Sequence, residues 1–279
     1  MDVLDPTACA VLAEGRQLHV GVLTPTGPHV TPELYTHDRR HIWFLTAADT
    51  LKSRSLRTDP RVAAVVRAGS RALLLAGEVT AYDVGDPRGL VRRSRDAMTA
   101  LAALTSFTAR NASDLAAFAR DLATGKLPPK IPPRRVLMRL RPARSLLLDG
   151  TALLSTAGDW PGRVTVPDEA PPLLGDLDCV VGVECAGAMA VLPGRATREL
   201  DEATVPAVAV QLAGLPVDTE LGGSLVVDAY NAPGPAAKSG ALLRGKLTFS
   251  LSGAVCRLAM RADRETTWDG VDTHTTAAS

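Results

Sequence analysis

Residues 42 to 65 read IWFLTAADTLKSRSLRTDPRVAAV and decide the fold. An apolar strand (42 to 46) leads through a polar connection into one short basic helix and a second strand. Asp59-Pro60 marks the end of the helix, because proline cannot continue one. Free backbone N–H groups and the positive end of the helix dipole converge where such a strand meets its helix. The stretch therefore predicts a phosphate-binding turn around Lys52, with an ordinary solvated basic helix as the alternative.

Composition excludes several classes of function. The 279 residues are 46% apolar, which is enough for one large or two ordinary domains. Lysine and arginine number 31 against 30 aspartate and glutamate, so a net charge of +1 does not favour nucleic acid or a membrane as a partner. The apolar runs are too short to span a bilayer, and the first residues carry acids where a signal peptide has positive charge, so we expect a cytoplasmic protein. Four cysteines without a CxxC pair predict neither a disulfide framework nor a metal site.

The pattern along the chain is mostly that of strands. Alternation with a period of two predicts three strands before residue 46 and a hairpin over 61 to 82. Helical spacing predicts two helices within 86 to 122, with Asn111 as a cap for the second, and the prolines of 127 to 133 end them. Strands return over 135 to 140 and 145 to 148, and the proline-rich residues 151 to 177 are expected to be a linker. Further strands are predicted over 179–184, 188–192, 206–212, 224–230, 241–249 and 254–259.

The two halves of the chain share short segments in the same order. VLMRLRPARSLLLDG (136 to 150) aligns without gaps with CRLAMRADRETTWDG (256 to 270), LLLAGEVT (73 to 80) with ALLRGKLT (241 to 248), and HVTPELY (29 to 35) with AVLPGRA (190 to 196). Three matches in one order predict an internal duplication. The second copy lacks the helices of 86 to 122 and has no equivalent of Lys52.

The residues around Lys52 resemble a known family. GPHVTPELYTHDRRHIWFLTAADTLKSRSLRTDPRVAAVV (27 to 66) carries Thr31-Pro32, a strand that ends in Thr46, a lysine six residues later and the helix-to-strand pattern of 54 to 62. This combination is similar to the pyridoxamine 5'-phosphate oxidase-like split-barrel proteins that bind flavin or deazaflavin. The match covers residues 10 to 82 well, and the closing strands more weakly.

The resemblance implies a fold and a domain organisation. The fold expected is mainly β (α+β), with tandem split β-barrels and a helical insertion in the first half. A split barrel of the FMN- or F420-binding type would occupy residues 1 to 150, with the helical insert at 86 to 122. A second, degenerate barrel would occupy residues 178 to 279. Because family members bind the cofactor between two barrels, the interface would be an intramolecular pseudo-dimer or a homodimer.

The resemblance also implies roles for individual residues. Lys52 would hold the cofactor phosphate beside Ser53 and Arg54, while Val30 and Leu51 stand where the oxidases proper have arginines, which weakens the expected grip. The other candidates in the first half are the strand residues Thr31, Phe44, Leu45 and Thr46, which would lie near the isoalloxazine ring. Those in the second half are Lys238, Arg244 and Trp268. In the alternative interpretation the lysine and the arginine are exposed hairpin residues and the tryptophan belongs to the core.

The expected function follows from these roles. We expect an oxidoreductase that transfers a hydride between bound FMN or F420 and a small organic substrate, although the sequence identifies no catalytic acid or base. The alternative is a non-catalytic split-barrel protein that binds flavin or haem as a sensor or carrier. For haem or substrate, His19 and His29 are the candidates to face the pocket.

Overall fold

The computed structural model describes residues 3–83, 94–125, 134–164, 169–230, 233–234, 238–270 and 272–277. The chain is mainly β, as predicted, with two antiparallel sheets. The elements of the first half are α1 (Pro6–Glu14), β1 (Leu18–Thr24), β2 (Gly27–Glu33), β3 (Tyr35–His37), β4 (Ile42–Ala47), α2 (Leu51–Thr58), β5 (Arg61–Ala68), β6 (Arg71–Asp83), α3 (Ser94–Arg110), α4 (Ala112–Ala123), β7 (Arg135–Asp149) and β8 (Ala152–Ala157). Those of the second half are β9 (Leu177–Cys185), β10 (Ala188–Ala196), β11 (Glu202–Pro206), α5 (Ala207–Leu212), β12 (Glu220–Tyr230), β13 (Lys238–Ser252), β14 (Val255–Asp269) and β15 (Asp272–Ala277).

The first sheet has the strand order β2-β1-β5-β6-β7-β4-β3. Only Leu34 separates β2 from β3, so one bent segment pairs with β1 on one side and with β4 on the other. The sheet thereby curls into a barrel. Alternate residues of β1 (Leu18, Val20 and Val22) point into its interior, and α1 packs its buried face on the same core.

The second sheet repeats this connectivity. Its order is β11-β10-β9-β12-β13-β14-β15, and β11 also pairs with β14, so six strands form a closed ring. α5 lies between β11 and β12 as α2 lies between β4 and β5. The long hairpins of both halves shift register at matching places, before Gly77 and before Gly245. The duplicated topology agrees with the duplicated sequence segments.

Three parts of the prediction differ from the structure. Residues 206 to 212 were expected to form a strand, but Ala207–Leu212 is a short helix. That prediction was wrong because a short, fully buried run of valine and alanine has no periodicity that separates helix from strand. The expected linker begins with a strand, β8, which pairs with β7. The two strands expected over 135 to 148 are one continuous strand, and Pro142 is accommodated where its register shifts.

The helical insertion covers the outer face of the first barrel. α3 and α4 agree with the two predicted helices, whereas the expected first turns from Asp86 and the proline run of 127 to 133 lie outside the described residues. Trp43, Tyr82 and Leu137 pack here against Ala100 and Ala103 of α3. No helix in the described ranges combines the length and the apolar character needed to cross a membrane.

The two halves meet through a reciprocal pair of contacts. Gly21 on β1 lies so close to Val191 on β10 that a Cβ atom on the glycine would be 2.3 Å from a valine methyl. Gly182 on β9 has the same relation to Val30 on β2, at 2.4 Å. Glycine is required at both places because no other residue leaves room for the neighbouring strand. This reciprocity is what a two-fold axis between two similar barrels produces.

Candidate functional site

A cleft of about 440 Å³ opens between the two halves. The first half contributes β2, the end of β4, the first turn of α2 and the start of β7, while the second half contributes β13 and β14. The lining residues are His29, Val30, Thr31, Pro32, Glu33, Thr46, Ala47, Thr50, Leu51, Lys52, Arg135, Leu242, Thr266 and Trp268.

The first turn of α2 is fixed by its own cap. Thr50 accepts a hydrogen bond from the backbone N–H of Ser53 at 3.2 Å and donates one to the carbonyl of Ala47 at 3.0 Å. Asp59 ends the helix and Pro60 follows, as the sequence predicts. Lys52 is therefore the second residue of a capped helix, and its side chain runs along the floor of the cleft.

Lys52 is held by two residues of β2. Its side chain is nearly inaccessible, with the residue 4% exposed. Its Nζ donates to Thr31 Oγ1 at 3.0 Å and forms an ion pair with Glu33, and Thr31 in turn donates to Glu33 Oε1 at 3.3 Å. Burial lowers the pKa of Lys52 to about 7. The predicted phosphate anchor thus has an internal carboxylate as its present partner.

His29 forms the link between the cleft and Arg244. The guanidinium Nη2 of Arg244 donates to His29 Nδ1 at 2.5 Å, so this wall joins β2 to β13. Burial, with the positive charges of Arg244 and Lys52, lowers the pKa of His29 to about 3. The imidazole is therefore neutral at physiological pH and acts as an acceptor.

The second half supplies an apolar and aromatic wall. Trp268 on β14 stands opposite Gly240 on β13, and a Cβ on that glycine would be 2.3 Å from the indole ring. The ring therefore lies flat across the neighbouring strand. Leu242 and Thr266 continue this wall toward Lys52. A planar ring system bound in the cleft would find an aromatic surface on this side.

The structure brings together four of the predicted residues. Thr31, Thr46, Lys52 and Trp268 line the cleft directly. Arg244 reaches it only through His29. The site assignment as a whole remains a prediction, but these residues share one surface.

Other predicted residues lie elsewhere. Phe44 is 0% exposed within the first barrel, and Leu45 packs beside the core under α3. β3 pairs only with residues 42 to 44 of β4, so it leaves the backbone edge of residues 45 to 47 uncovered. Arg54 points to solvent. Lys238 is half-buried at the start of β13, where the carboxylates of Asp114 and Asp228 partly oppose the lowering of its pKa by burial.

The predicted histidines also separate. His29 lines the cleft, whereas His19 contacts the Asp228 carboxylate of the second half, with 2.8 Å between Nε2 and Oδ1. His19 is not among the residues that line the cleft.

Two charged residues of the cleft were missed by the sequence reasoning. Glu33 is two residues from Thr31, so both lie on one face of β2 together with His29, and strand alternation alone could have found it. Arg135 lies at the start of β7, and its place near Lys52 depends on the pairing of β4 with β7. Nothing local in the sequence indicates that pairing.

The cleft fits a phosphate-bearing ring system in most respects. Its volume lies within the range of about 300 to 1,000 Å³ for small-molecule sites. Lys52, Thr31 and Thr46 could hold a phosphate, with Arg135 as a second cation. Ser53, by contrast, is fully buried and is not among the residues that line the cleft, and its hydroxyl has no hydrogen-bond partner among the described residues. Val30 packs in the interface between the halves, which leaves no room for an arginine.

A second, topologically equivalent cleft is nearly closed. It has about 50 Å³ and is lined by β10 of the second half and by β6 of the first, where Leu74 corresponds to Leu242. Trp160 is one of its lining residues and donates from Nε1 to the carbonyl of Ser145 at 3.2 Å. The backbone N–H of Gly162 donates to the carbonyl of Leu212 at 3.0 Å, which connects the segment that carries Trp160 to the end of α5. The counterpart of Lys52 in α5 is the buried Val208.

Comparisons with known proteins gave results only for structure. No protein-family model matches the chain, and neither does any curated protein. A pyridoxamine 5'-phosphate oxidase-related, FMN-binding protein from Nostoc punctiforme is 17% identical, with a TM-score of 0.36, and the match covers 52% of this chain and 86% of that one.

Two further solved structures are similar to the same extent. A putative pyridoxamine 5'-phosphate oxidase from Listeria innocua is 13% identical, with a TM-score of 0.33 and coverage of 52% of this chain and 97% of that one. An F420 reductase is 21% identical, with a TM-score of 0.31 and coverage of 49% and 93%.

Proposed function

We propose that the chain is a flavin- or deazaflavin-dependent oxidoreductase, which transfers a hydride between bound FMN or F420 and a small organic substrate. The observation that carries the proposal is the cleft between the halves, where a buried lysine at the first turn of a helix faces a tryptophan from the other half. The cofactor ring would supply the hydride chemistry.

The protein's part in this proposal is to bind, orient and exclude water. Lys52 and Thr31 would hold the phosphate, with Arg135 as a second cation. Trp268 and Leu242 would cover the ring and exclude solvent. Glu33 must release Lys52 when the phosphate binds, because one ammonium group cannot fully neutralise both anions in a buried cleft.

The test is a titration of the purified chain with FMN, F420 and haem. We expect binding of a flavin-type cofactor, detected by a change in its absorbance and fluorescence. Lys52→Ala should weaken that binding by at least about tenfold, since a charged hydrogen bond contributes ~1.5–3 kcal/mol. Arg57→Ala, in an exposed position of the same helix, is the matched control and should bind normally. Absence of binding for all three compounds would refute the proposal.

A non-catalytic carrier or sensor is the second candidate. It is favoured by the way in which the ionisable groups of the cleft are engaged: Lys52 with Glu33, and a neutral His29 with Arg244. Both pairs are contacts within the protein, and both are already formed without a substrate. Turnover of the bound cofactor with a panel of small quinones and unsaturated carbonyl compounds separates the two candidates, because a carrier retains its cofactor without turnover.

A further inference from the structure

A third cleft, of about 360 Å³, lies on the first barrel away from the Lys52 cleft. It opens where the turn between β3 and β4 meets β7, and no residue lines both clefts. Its lining is Val3, Leu4, Arg39, Arg40, His41, Arg139, Arg141 and Pro142. Four guanidinium groups therefore surround one concave surface in a chain whose net charge is only +1.

Three of the four arginines in this cleft are not held by a carboxylate in the part of the chain that the structure describes. No acidic residue lines it, and within the described ranges Arg39, Arg40 and Arg141 form no ion pair with a carboxylate. The nearest acid of the turn, Asp38, already accepts hydrogen bonds from the backbone of Arg40 and His41 and from the Trp43 indole. Like charges around one concave surface repel one another, and an anion between them would relieve that repulsion.

The arginine cleft is also partly preorganised. The guanidinium of Arg139 lies over two rings, with its Cζ 5.2 Å from the centroid of Tyr82 and 5.7 Å from that of Trp43. The Trp43 indole also donates to Asp38 at 3.0 Å, so one side chain connects the turn to the strand that carries Arg139. This arrangement fixes the direction of at least one guanidinium before a ligand arrives.

We propose that the arginine cleft binds a compact polyanion, a small molecule with two or more phosphate or carboxylate groups. Guanidinium groups match the geometry of both kinds of oxyanion through paired hydrogen bonds. Val3, Leu4 and Pro142 form an apolar wall beside them, which suits an organic molecule with its anionic groups at one end. The site is independent of the proposed cofactor cleft.

The experiment is calorimetric titration of the full chain at low ionic strength. Inorganic pyrophosphate and citrate are the two probes, one for each kind of anion. We expect at least one of them to bind with one molecule per chain, and the affinity to fall as salt is added. Binding of pyrophosphate alone would identify phosphate groups as the ligand chemistry, and binding of citrate alone would identify carboxylates. If neither probe binds, the proposal is wrong.

Variants distinguish a site from general charge attraction. Arg39→Gln with Arg141→Gln should weaken binding at least about tenfold, whereas Arg120→Gln with Arg257→Gln, an equal loss of charge at exposed positions elsewhere, should leave it unchanged. Equal weakening in both double variants would overturn the proposal. Lys52→Ala should still bind the probe; a loss there would place the anion in the cofactor cleft instead.

Discussion

Lys52 pairs with Glu33 where few water molecules can reach it, and this single contact controls what the cleft can bind. The ammonium group is available to a phosphate only if the carboxylate moves or loses its charge. Burial makes each charge costly alone, so the pair is stable mainly because each partner compensates the other. Glu33 can therefore be regarded as an internal competitor of the cofactor phosphate.

The first prediction concerns Glu33→Gln. Without the carboxylate, the buried charge of Lys52 is left uncompensated, so the unliganded variant should melt at a lower temperature than the wild type. Added FMN or F420 should raise its melting temperature more than it raises that of the wild type. Glu199→Gln, at an exposed position in a loop, is the control. An equal ligand-induced shift in the wild type and Glu33→Gln would contradict the role of Glu33 as competitor.

The second prediction concerns pH. The pKa of Lys52 is lowered from 10.5 to about 7 in the folded chain. If only the ammonium form holds the phosphate, affinity should fall about fivefold between pH 7 and pH 8. Lys52→Arg, which stays charged, should remove this dependence wherever it retains binding.

The same shift has the opposite effect on the unliganded chain. Between pH 7 and 10.5 the unfolded lysine binds a proton and the folded one does not, so the contribution of Lys52 to folding stability rises with pH across that window. Urea denaturation at several pH values, compared with Lys52→Met, isolates this contribution. A wild-type profile that does not differ from the variant's would show that Lys52 stays protonated in the folded chain.

At the level of single residues, the sequence predicts Lys52 but not its partner. Lys52 follows from a local motif of strand, cap and helix. The ion pair with Glu33 depends on how β2 lies against α2, and that is decided by packing across the barrel. Lys238 is likewise not among the residues that line the cleft, because its position depends on where β13 begins.

At the level of elements, α2 and α5 occupy the same place in the two barrels with different sequences. α2 has a threonine cap, a basic exposed face and a proline after its end, and each of these is a local signal. α5 begins after Pro206, lacks a side-chain cap and is buried almost all round. Its position in the closed barrel gives it a helical form that the sequence does not predict.

Asn111 shows a related limit of local reasoning. It was expected to cap α4 and does precede that helix, but its side chain makes no capping hydrogen bond. Instead its amide donates to the carbonyls of Tyr35 on β3 and Phe107 on α3. The residue therefore ties the helical insertion to the first barrel.

The third prediction belongs to α2. Thr50→Ala removes the cap and the bond to Ala47, which should cost ~1 kcal/mol of folding stability. Because the first turn carries Lys52, cofactor affinity should fall as well. Thr58→Ala, at the exposed end of the same helix, should change stability by less than about 0.5 kcal/mol. Urea denaturation and cofactor titration measure the two effects, and an unchanged affinity in Thr50→Ala would show that the cap does not position Lys52.

At the level of the whole molecule, the two barrels act on each other through a pseudo-symmetric interface. The fourth prediction tests it with Gly21→Ala, whose new methyl group would collide with Val191 and cost ~1–3 kcal/mol. Val191→Ala should restore part of that loss in the double variant. Val30→Ala, the reciprocal residue, should not, because it faces Gly182. Equal rescue by both valine changes would mean that the contacts are not specific.

The fifth prediction concerns the number of sites. We propose that the two barrels, residues 1 to 150 and 178 to 279, form one site within a monomer, with 151 to 177 as the connection. Calorimetry should then give one cofactor per chain, and sedimentation should give the mass of one 29.2-kDa chain. Two cofactors per chain, or a tight dimer, would contradict this.

Trp160 offers a direct check on the closed cleft. Trp160→Ala should open an apolar space that added indole refills, which would raise the melting temperature of this variant. Trp160→Phe keeps most of the ring and is the control. If indole stabilises the wild type and Trp160→Ala equally, the tryptophan does not fill the second cleft.

The covalent joining of the two barrels also changes how the protein can evolve. In a homodimer every mutation appears twice, once on each side of the symmetry axis, so both sites change together. In this chain each position of a barrel is encoded separately from its counterpart. A change in the second barrel, such as the valine at position 208 where α2 has Lys52, therefore leaves Lys52 and its cleft unchanged.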